Sequence, residues 1–256
     1  MRVGGGSGGG RLAALLKRPG PGEPGRRLGT GPAVGGAVAV LAVANVTVHR
    51  WASPFGLLTS LVATALLLAV LFAAGGTWAD AGLDGAALRR GARWALVLTA
   101  LVGAVYTAGA LLPPTRGLFA DERHSGLTGA EVALRALVTV PLGTVLLEET
   151  GFRGVLYGLV RRTRGTGWAT AVSSALFGLW HVLPSLHLVT DKPVLTPVFG
   201  HSALGSGLVM AGVVLFTGAA GVLFCELRRR SGSLLAPMGL HWAVNSLGYV
   251  AGHLLR

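Results

Sequence analysis

The stretch LLEETGFRG, residues 146–154, places two adjacent glutamates and an arginine inside an otherwise apolar segment, residues 133–160. A helix crosses the hydrocarbon core of a bilayer in about 20 residues, so this segment is long enough to span it. Ionisable side chains are costly at membrane depth, and where they occur they usually mark a functional site. The stretch therefore predicts a membrane-spanning helix that carries such a site.

The composition of the whole chain agrees with a membrane protein. Of its 256 residues, 52% are hydrophobic and 12% are charged, whereas soluble domains carry about 25% charged residues. The 22 Lys and Arg against 10 Asp and Glu give a net charge of +12. This excess lies mostly in loops and in the N-terminal tail, where membrane topology explains it, so nucleic acid is not an expected partner. The single cysteine, Cys225, excludes an internal disulfide and a cysteine-rich metal site.

Seven apolar segments predict an all-α fold, a polytopic bundle of about seven transmembrane helices. They cover residues 32–48, 55–75, 94–112, 133–160, 168–189, 204–223 and 234–255. Residues 1–30 are basic and rich in Gly and Pro, which predicts a disordered tail. Residues 31–130 would then hold about three spans, and residues 131–256 would form the membrane core that carries the two glutamates.

The basic residues predict the orientation of the bundle. With a cytoplasmic N-terminus, fifteen Lys and Arg lie on the cytoplasmic side, six in the tail and three in each of three loops, against five on the other side. This bias favours a cytoplasmic N-terminus and an odd number of spans. The Gly-, Ala- and Arg-rich composition indicates a bacterial source, so the expected location is the bacterial inner membrane.

Two further spans carry polar side chains at depth. His181 lies in the fifth span, four residues after Phe177, and His241 and Asn245 lie in the seventh. At 1.5 Å rise per residue, Glu148 and His181 lie roughly 20 Å, and His241 roughly 12 Å, from the cytoplasmic ends of their helices. We therefore expect the three helices to bring these groups into one layer, with the site nearer the cytoplasmic side.

Helical spacing separates the two glutamates. Glu149 and Arg153 are four residues apart, so they share a helix face and can form an ion pair. Glu148 is turned by about 100° from its neighbour and can face a pocket with the two histidines. A buried carboxylate can deprotonate water, and histidines and an amide can transfer the proton or bind a developing oxyanion. The alternative is that these groups only hydrogen-bond one helix to another.

The three motifs together resemble the CPBP family of intramembrane proteases, the CAAX proteases and bacteriocin-processing enzymes, also called the ABI family. That family carries EExxxR, FxxxH and HxxxN on successive helices, and this chain has EETGFR, FGLWH and HWAVN at residues 148–153, 177–181 and 241–245. The flanking stretches FRGVLYGLVRR and SGSLLAPMGLHWAVN are also similar. The resemblance covers residues 142–255.

The resemblance implies a type II CAAX prenyl endopeptidase-like enzyme that cuts a membrane-associated protein or peptide with a glutamate-activated water. Glu148 would be the general base, helped by His181, and His241 with Asn245 would form the oxyanion site. By motif position, the catalytic residues would be Glu148, His181, His241 and Asn245, and the substrate-binding or supporting residues would be Glu149, Arg153 and Phe177. The expected partners are the lipid bilayer and this substrate.

The resemblance leaves the metal question open, because members of the family are often labelled metalloproteases although their dependence on metal is disputed, and no tightly bound structural metal is expected. No HExxH motif occurs, which excludes a zincin. A zinc site usually takes three protein ligands and a water, and Glu148, His181 and His241 would be the ligands of a divalent metal such as zinc. The residues themselves require no other cofactor.

Two further functions compete with proteolysis. A non-catalytic membrane protein of the same fold would act as an immunity factor or binding partner, and a transporter or proton relay would use the same polar groups. Intact motifs favour the enzyme, and the sequence has no internal repeat of the kind that transporters often contain.

Overall fold

The computed structural model describes residues 28–51, 55–119, 126–188, 195–200 and 202–255, and every regular element in these ranges is helical. The expected tail lies almost entirely outside them. The α-helices are α1 Thr30–Val46, α2 Gly56–Ala73, α3 Trp78–Ala81, α4 Gly85–Leu111, α5 Gly129–Leu134, α6 Leu146–Glu148, α7 Tyr157–Trp180, α8 Thr196–Phe199, α9 Ala203–Ser231 and α10 Leu235–Leu254. The remaining helical segments are π-helices at Thr47–Trp51, Arg135–Val145 and Glu149–Leu156, and 3-10 helices at Pro113–Phe119 and Leu183–Ser185.

The described residues confirm the expected helical membrane bundle. Five stretches are long and apolar enough to cross a membrane: Thr30–Arg50, Gly56–Ala73, Trp78–Leu111, Gly129–Ser185 and Ala203–Ser231. The stretch Gly129–Ser185 has 57 residues, far more than one crossing needs. Its helix breaks at Gly165, where φ is 80° and ψ is 178°, so it contains both the fourth and the fifth expected span. The helix α10, Leu235–Leu254, is not among these five and corresponds to the seventh expected span.

The fifth span is shorter than the sequence predicts. The sequence predicts a span that reaches residue 189, but α7 ends at Trp180 and a short 3-10 helix, Leu183–Ser185, follows. Pro184 lies in that turn and has no backbone N–H with which to continue the helix. The early end matters for the site, because it leaves His181 directly after the last residue of α7.

The helix that carries the two glutamates, residues 129–164, is widened by its π-helical turns. Pro141 lies within one of them, Arg135–Val145, and cannot donate to the carbonyl five residues earlier, that of Ala136. Two side chains of α10 donate to this carbonyl instead, Trp242 Nε1 at 2.8 Å and Ser246 Oγ at 3.0 Å. A backbone group at membrane depth thereby regains partners and ties α10 to the glutamate helix.

Close backbone contacts position α7 and α10. A Cβ added to Gly178 of α7 would lie 2.7 Å from the carbonyl oxygen of Val214 in α9, and one added to Gly239 of α10 would lie 2.4 Å from the Cβ of Ala95 in α4. Small residues at such contacts allow helices to approach closely in a membrane. The glycines therefore fix α7 against α9 and α10 against α4.

The bundle has two ends with different chemistry. At one, which we call the arginine end, Arg162 donates to the carbonyl of Ala74 at 3.3 Å, and Arg228 donates to those of Ala79 and Asp80, both at 3.2 Å. The starts of α1, α4 and α10 and the ends of α2 and α9 meet there. At the opposite end, the ends of α1, α4, α7 and α10 meet the starts of α2, α5 and α9.

Candidate active site

Glu148 has two oxygens in different environments. Its side chain is buried, with 5% of the residue exposed. Trp180, the last residue of α7, donates from Nε1 to Oε1 at 3.0 Å. The other oxygen, Oε2, has no hydrogen-bond partner among the described residues and lies 3.8 Å from Nε2 of His241. One oxygen is thus held in place while the other remains available.

Glu149 is fully buried and holds two partners with one oxygen. Its Oε1 accepts from Arg153 Nη1 at 3.1 Å and from His241 Nδ1 at 2.8 Å. The contact with Arg153 confirms the ion pair that the four-residue spacing predicts. The contact with His241 has no counterpart in the sequence prediction. It joins the glutamate helix to α10 and makes Glu149 the residue that orients His241.

Arg153 lies in an aromatic enclosure behind the glutamates. Its guanidinium carbon is 3.8 Å from the ring centroid of Phe177 and 4.7 Å from that of Phe224. Cation–π attraction of this kind, together with the charge of Glu149, offsets the cost of a buried guanidinium. Phe177 also packs edge-on against His181, with ring centroids 4.6 Å apart. It therefore supports both the buried ion pair and the histidine of its own helix.

The hydrogen-bond partners determine which nitrogen of each histidine carries the proton. His181 Nδ1 lies 2.8 Å from the Phe177 carbonyl, and His241 Nδ1 lies 2.8 Å from Glu149 Oε1. Both oxygens only accept, so Nδ1 is the donor in each ring, and Nε2 of a neutral ring is an acceptor. His181 can thus accept a hydrogen bond from water. His241 Nε2 and Glu148 Oε2 attract each other when one of these two atoms carries a proton.

The structure brings the four predicted catalytic residues to one cavity. Glu148, His181, His241 and Asn245 all line a space of about 770 Å³. Glu149 and Arg153 do not line it and lie buried behind its wall, which is the arrangement expected of supporting residues. The cavity is large enough to admit a segment of peptide, since ligand sites commonly measure about 300–1,000 Å³.

The cavity opens at the end of the bundle opposite the arginines. Its outer lining includes Phe119, Ser185 and Leu188, which follow the ends of α4 and α7. The sequence predicts that the arginine end is cytoplasmic and that the site lies nearer the cytoplasm, and these two expectations are incompatible in the structure. The depth estimate places His181 roughly 20 Å from the cytoplasmic end of its helix, and because α7 ends at Trp180 this distance reaches the opposite end.

Three residues at the site are absent from the sequence prediction. Trp180 holds Glu148, and Asn45 of α1 donates from Nδ2 to the carbonyl of Trp180 at 3.1 Å. His49 lines the cavity, with its ring centroid 6.3 Å from that of Trp180. Trp180 and Asn45 could have been found from the sequence. A buried indole N–H usually finds an acceptor, and an asparagine at membrane depth is costly without a role.

The residues present do not form a ready metal site. Within the described ranges, no group of three or more His, Cys, Asp or Glu side chains is arranged to hold a metal ion. In the expected ligand set of Glu148, His181 and His241, both histidines bond through Nδ1 to an oxygen, which leaves Nε2 as the nitrogen that a metal would take.

Comparison with known families supports the motif reading. Residues 130–247 match the family model described as type II CAAX prenyl endopeptidase Rce1-like, so this part of the chain is similar to the CAAX proteases. The matched region contains all three motifs, while Asn45 and His49 lie outside it. No curated protein and no solved structure matches the chain. This match and the five helices that are long and apolar enough to cross a membrane together indicate a multi-pass membrane protein that is similar to CAAX proteases.

Proposed function

We propose that the chain is an intramembrane endopeptidase that hydrolyses a peptide bond of a membrane-associated protein or peptide with a water activated by Glu148. The observation that carries this proposal is Oε2 of Glu148. It is buried, lacks a partner among the described residues, and borders the cavity lined by His181 and Asn245. A carboxylate oxygen left available beside acceptor and donor groups is what activation of a water requires.

The first step is attack of water on the scissile carbonyl. Glu148 Oε2 takes one proton from the water, and Nε2 of His181 accepts a hydrogen bond from the other. The water oxygen forms a bond to the carbonyl carbon as the C=O electron pair moves onto oxygen. Trp180 fixes the carboxylate during this step because its indole N–H occupies Oε1.

The second step is collapse of the tetrahedral intermediate. The amide N–H of Asn245 and a protonated Nε2 of His241 donate to the oxyanion, and donors arranged before the reaction stabilise such charge strongly. The proton on Glu148 passes to the peptide nitrogen as the C–N bond breaks, which releases an amine and a carboxylic acid. Glu149 contributes by holding His241 Nδ1.

Comparison of membrane proteomes tests this proposal. Cells that produce the wild type, Glu148→Gln or the control Glu226→Gln would be compared for new protein N-termini. Glu226 is a matched glutamate, because its partners are Arg229 and Arg230 at the arginine end. We expect N-termini that disappear in Glu148→Gln and persist in the control.

The same experiment separates proteolysis from a non-catalytic function. If Glu148→Gln yields the same N-termini as the wild type, the protease proposal is wrong. If it also keeps the cellular effect of the wild type, a non-catalytic binding partner or immunity factor explains the protein better. The substitution is nearly isosteric, so loss of folding is not the expected outcome, and detergent-solubilised protein measures that directly.

A further inference from the structure

The arginine end carries the strongest topological signal in the chain. Arg90, Arg162 and Arg228 bond to backbone carbonyls there, and their neighbours in sequence are also basic. The remaining basic residues at this end are Arg89, Arg93, Arg161, Arg164, Arg229 and Arg230. Loops rich in Lys and Arg remain on the cytoplasmic side of the membrane during insertion. This end is therefore the cytoplasmic one.

The site is closed towards that end by a buried layer. Glu149 and Arg153 have no exposed surface, and Phe177 and Phe224 are 2% and 7% exposed. These four side chains contact one another, with Arg153 between the two rings and Glu149 bonded to it. A charged pair enclosed by aromatic rings therefore lies between the arginine end and Glu148.

The site is open at the other end. The cavity that contains Glu148 is lined further out by Leu118, Ser185 and Leu188. Leu118 has 60% of its surface exposed, and it lies in the 3-10 helix, Pro113–Phe119, that follows α4. His49, at the end of α1, is also exposed and lines the same cavity.

We propose that this site receives its substrate from the non-cytoplasmic side of the membrane. The substrates would be membrane-anchored proteins or peptides whose scissile bond lies in, or just outside, the non-cytoplasmic leaflet. This inference rests on the proposed function for the cleavage itself, but the access route rests only on the position of the cavity and of the arginines. A bond exposed solely to the cytoplasm would be separated from Glu148 by the buried layer.

Cysteine accessibility measures this route without any need for cleavage. The chain has one cysteine, Cys225, and it is buried, with 0% exposed, so an introduced cysteine reports cleanly. Ser185→Cys places a thiol in the cavity lining, and Thr163→Cys places one at the exposed surface of the arginine end. Each variant would be treated with a membrane-impermeant maleimide in right-side-out vesicles and again after the vesicles are opened with detergent.

We expect Ser185→Cys to be labelled in sealed right-side-out vesicles to the same extent as in opened ones. We expect Thr163→Cys to be labelled only after opening, and the unaltered chain to remain unlabelled throughout. Labelling of Ser185→Cys only after opening would overturn the inference. Leu118→Cys is a second cavity reporter on another element, and it decides the question if Ser185→Cys does not accumulate.

The labelling outcome is independent of the proteolysis outcome. If the thiols label as expected while Glu148→Gln leaves all N-termini unchanged, the access route holds and the proposed function fails. If cleavage depends on Glu148 but Ser185→Cys and Leu118→Cys label only in opened vesicles, the function holds and the access route fails.

Discussion

Glu148 and Glu149 are neighbours in the chain but lie in different environments. Glu149 has no exposed surface, and one of its oxygens binds both Arg153 and His241. Glu148 borders the cavity, is held through one oxygen by Trp180, and keeps the other without a partner among the described residues. The difference shows how one helix can place a carboxylate that borders a cavity next to a fully enclosed one. We expect substitutions at the two positions to have different consequences.

The largest expected effect is that of Glu148→Gln on cleavage. An amide cannot take a proton from water, and general-base catalysis contributes about 10²–10⁴-fold to a rate. We expect the cleavage rate to fall by at least about 10²-fold. The thermal midpoint in detergent should stay close to that of the wild type. Purified protein assayed with a substrate found by the N-terminal comparison checks both quantities. Cleavage at an unchanged rate would remove Glu148 from the reaction.

Glu149→Gln should act mainly on stability. Removal of one charge from a buried ion pair typically costs about 3–5 kcal/mol, because the partner charge is left uncompensated. Here the partner is Arg153, which is fully buried. We expect a marked drop in thermal midpoint, whereas Glu226→Gln, which disturbs exposed pairs, should leave the thermal midpoint almost unchanged. Equal midpoints for Glu149→Gln and the wild type would contradict the assigned structural role.

Trp180→Phe tests how Glu148 is held. The variant keeps an aromatic ring against Phe152, whose centroid is 5.6 Å away, but loses the N–H that donates to Glu148. A hydrogen bond to a charged group contributes about 1.5–3 kcal/mol, so we expect kcat to fall roughly 10- to 100-fold with little change in KM. Trp168→Phe is the control, because Trp168 is 61% exposed on the same helix. Equal kcat for both variants would show that the indole N–H does not position the carboxylate.

Phe224→Leu has the smallest expected effect, and it disturbs the surroundings of the buried pair of Glu149 and Arg153. It removes a ring that faces the Arg153 guanidinium and also stacks on His241, with ring centroids 5.4 Å apart. A cation–π contact contributes about 0.5–2 kcal/mol, so the thermal midpoint should fall slightly. Phe216→Leu is the control, since Phe216 is 76% exposed. A loss of cleavage without any loss of stability would mean that Phe224 serves Glu148 rather than the buried pair.

The motif residues could be predicted from the sequence because they depend on local spacing. The four-residue interval between Glu149 and Arg153 places both on one helix face in any helical turn, and the ion pair is present. The bond from His241 to Glu149 depends on how α10 lies against the glutamate helix, which is set by contacts such as those at Ala136 and Gly239. No spacing within either segment contains that information.

For a similar reason, the sequence could not predict at which end of the bundle the cavity opens. Residue counts along separate helices give depth only if each helix is regular and its end is known. Pro184 and the early end of α7 at Trp180 move His181 to the end of its helix, and the π-helical turns alter the path of the glutamate helix. The helical bundle, which follows from hydrophobic length alone, was predictable.

The most direct test of the difference between the two glutamates is a paired measurement on purified Glu148→Gln and Glu149→Gln. For each variant, cleavage of the same substrate and the thermal midpoint in the same detergent would be recorded together. The structure predicts that Glu148→Gln loses cleavage at a wild-type midpoint, and that Glu149→Gln loses thermal stability. Retention of cleavage by Glu148→Gln, or equal loss of stability in both variants, would contradict it.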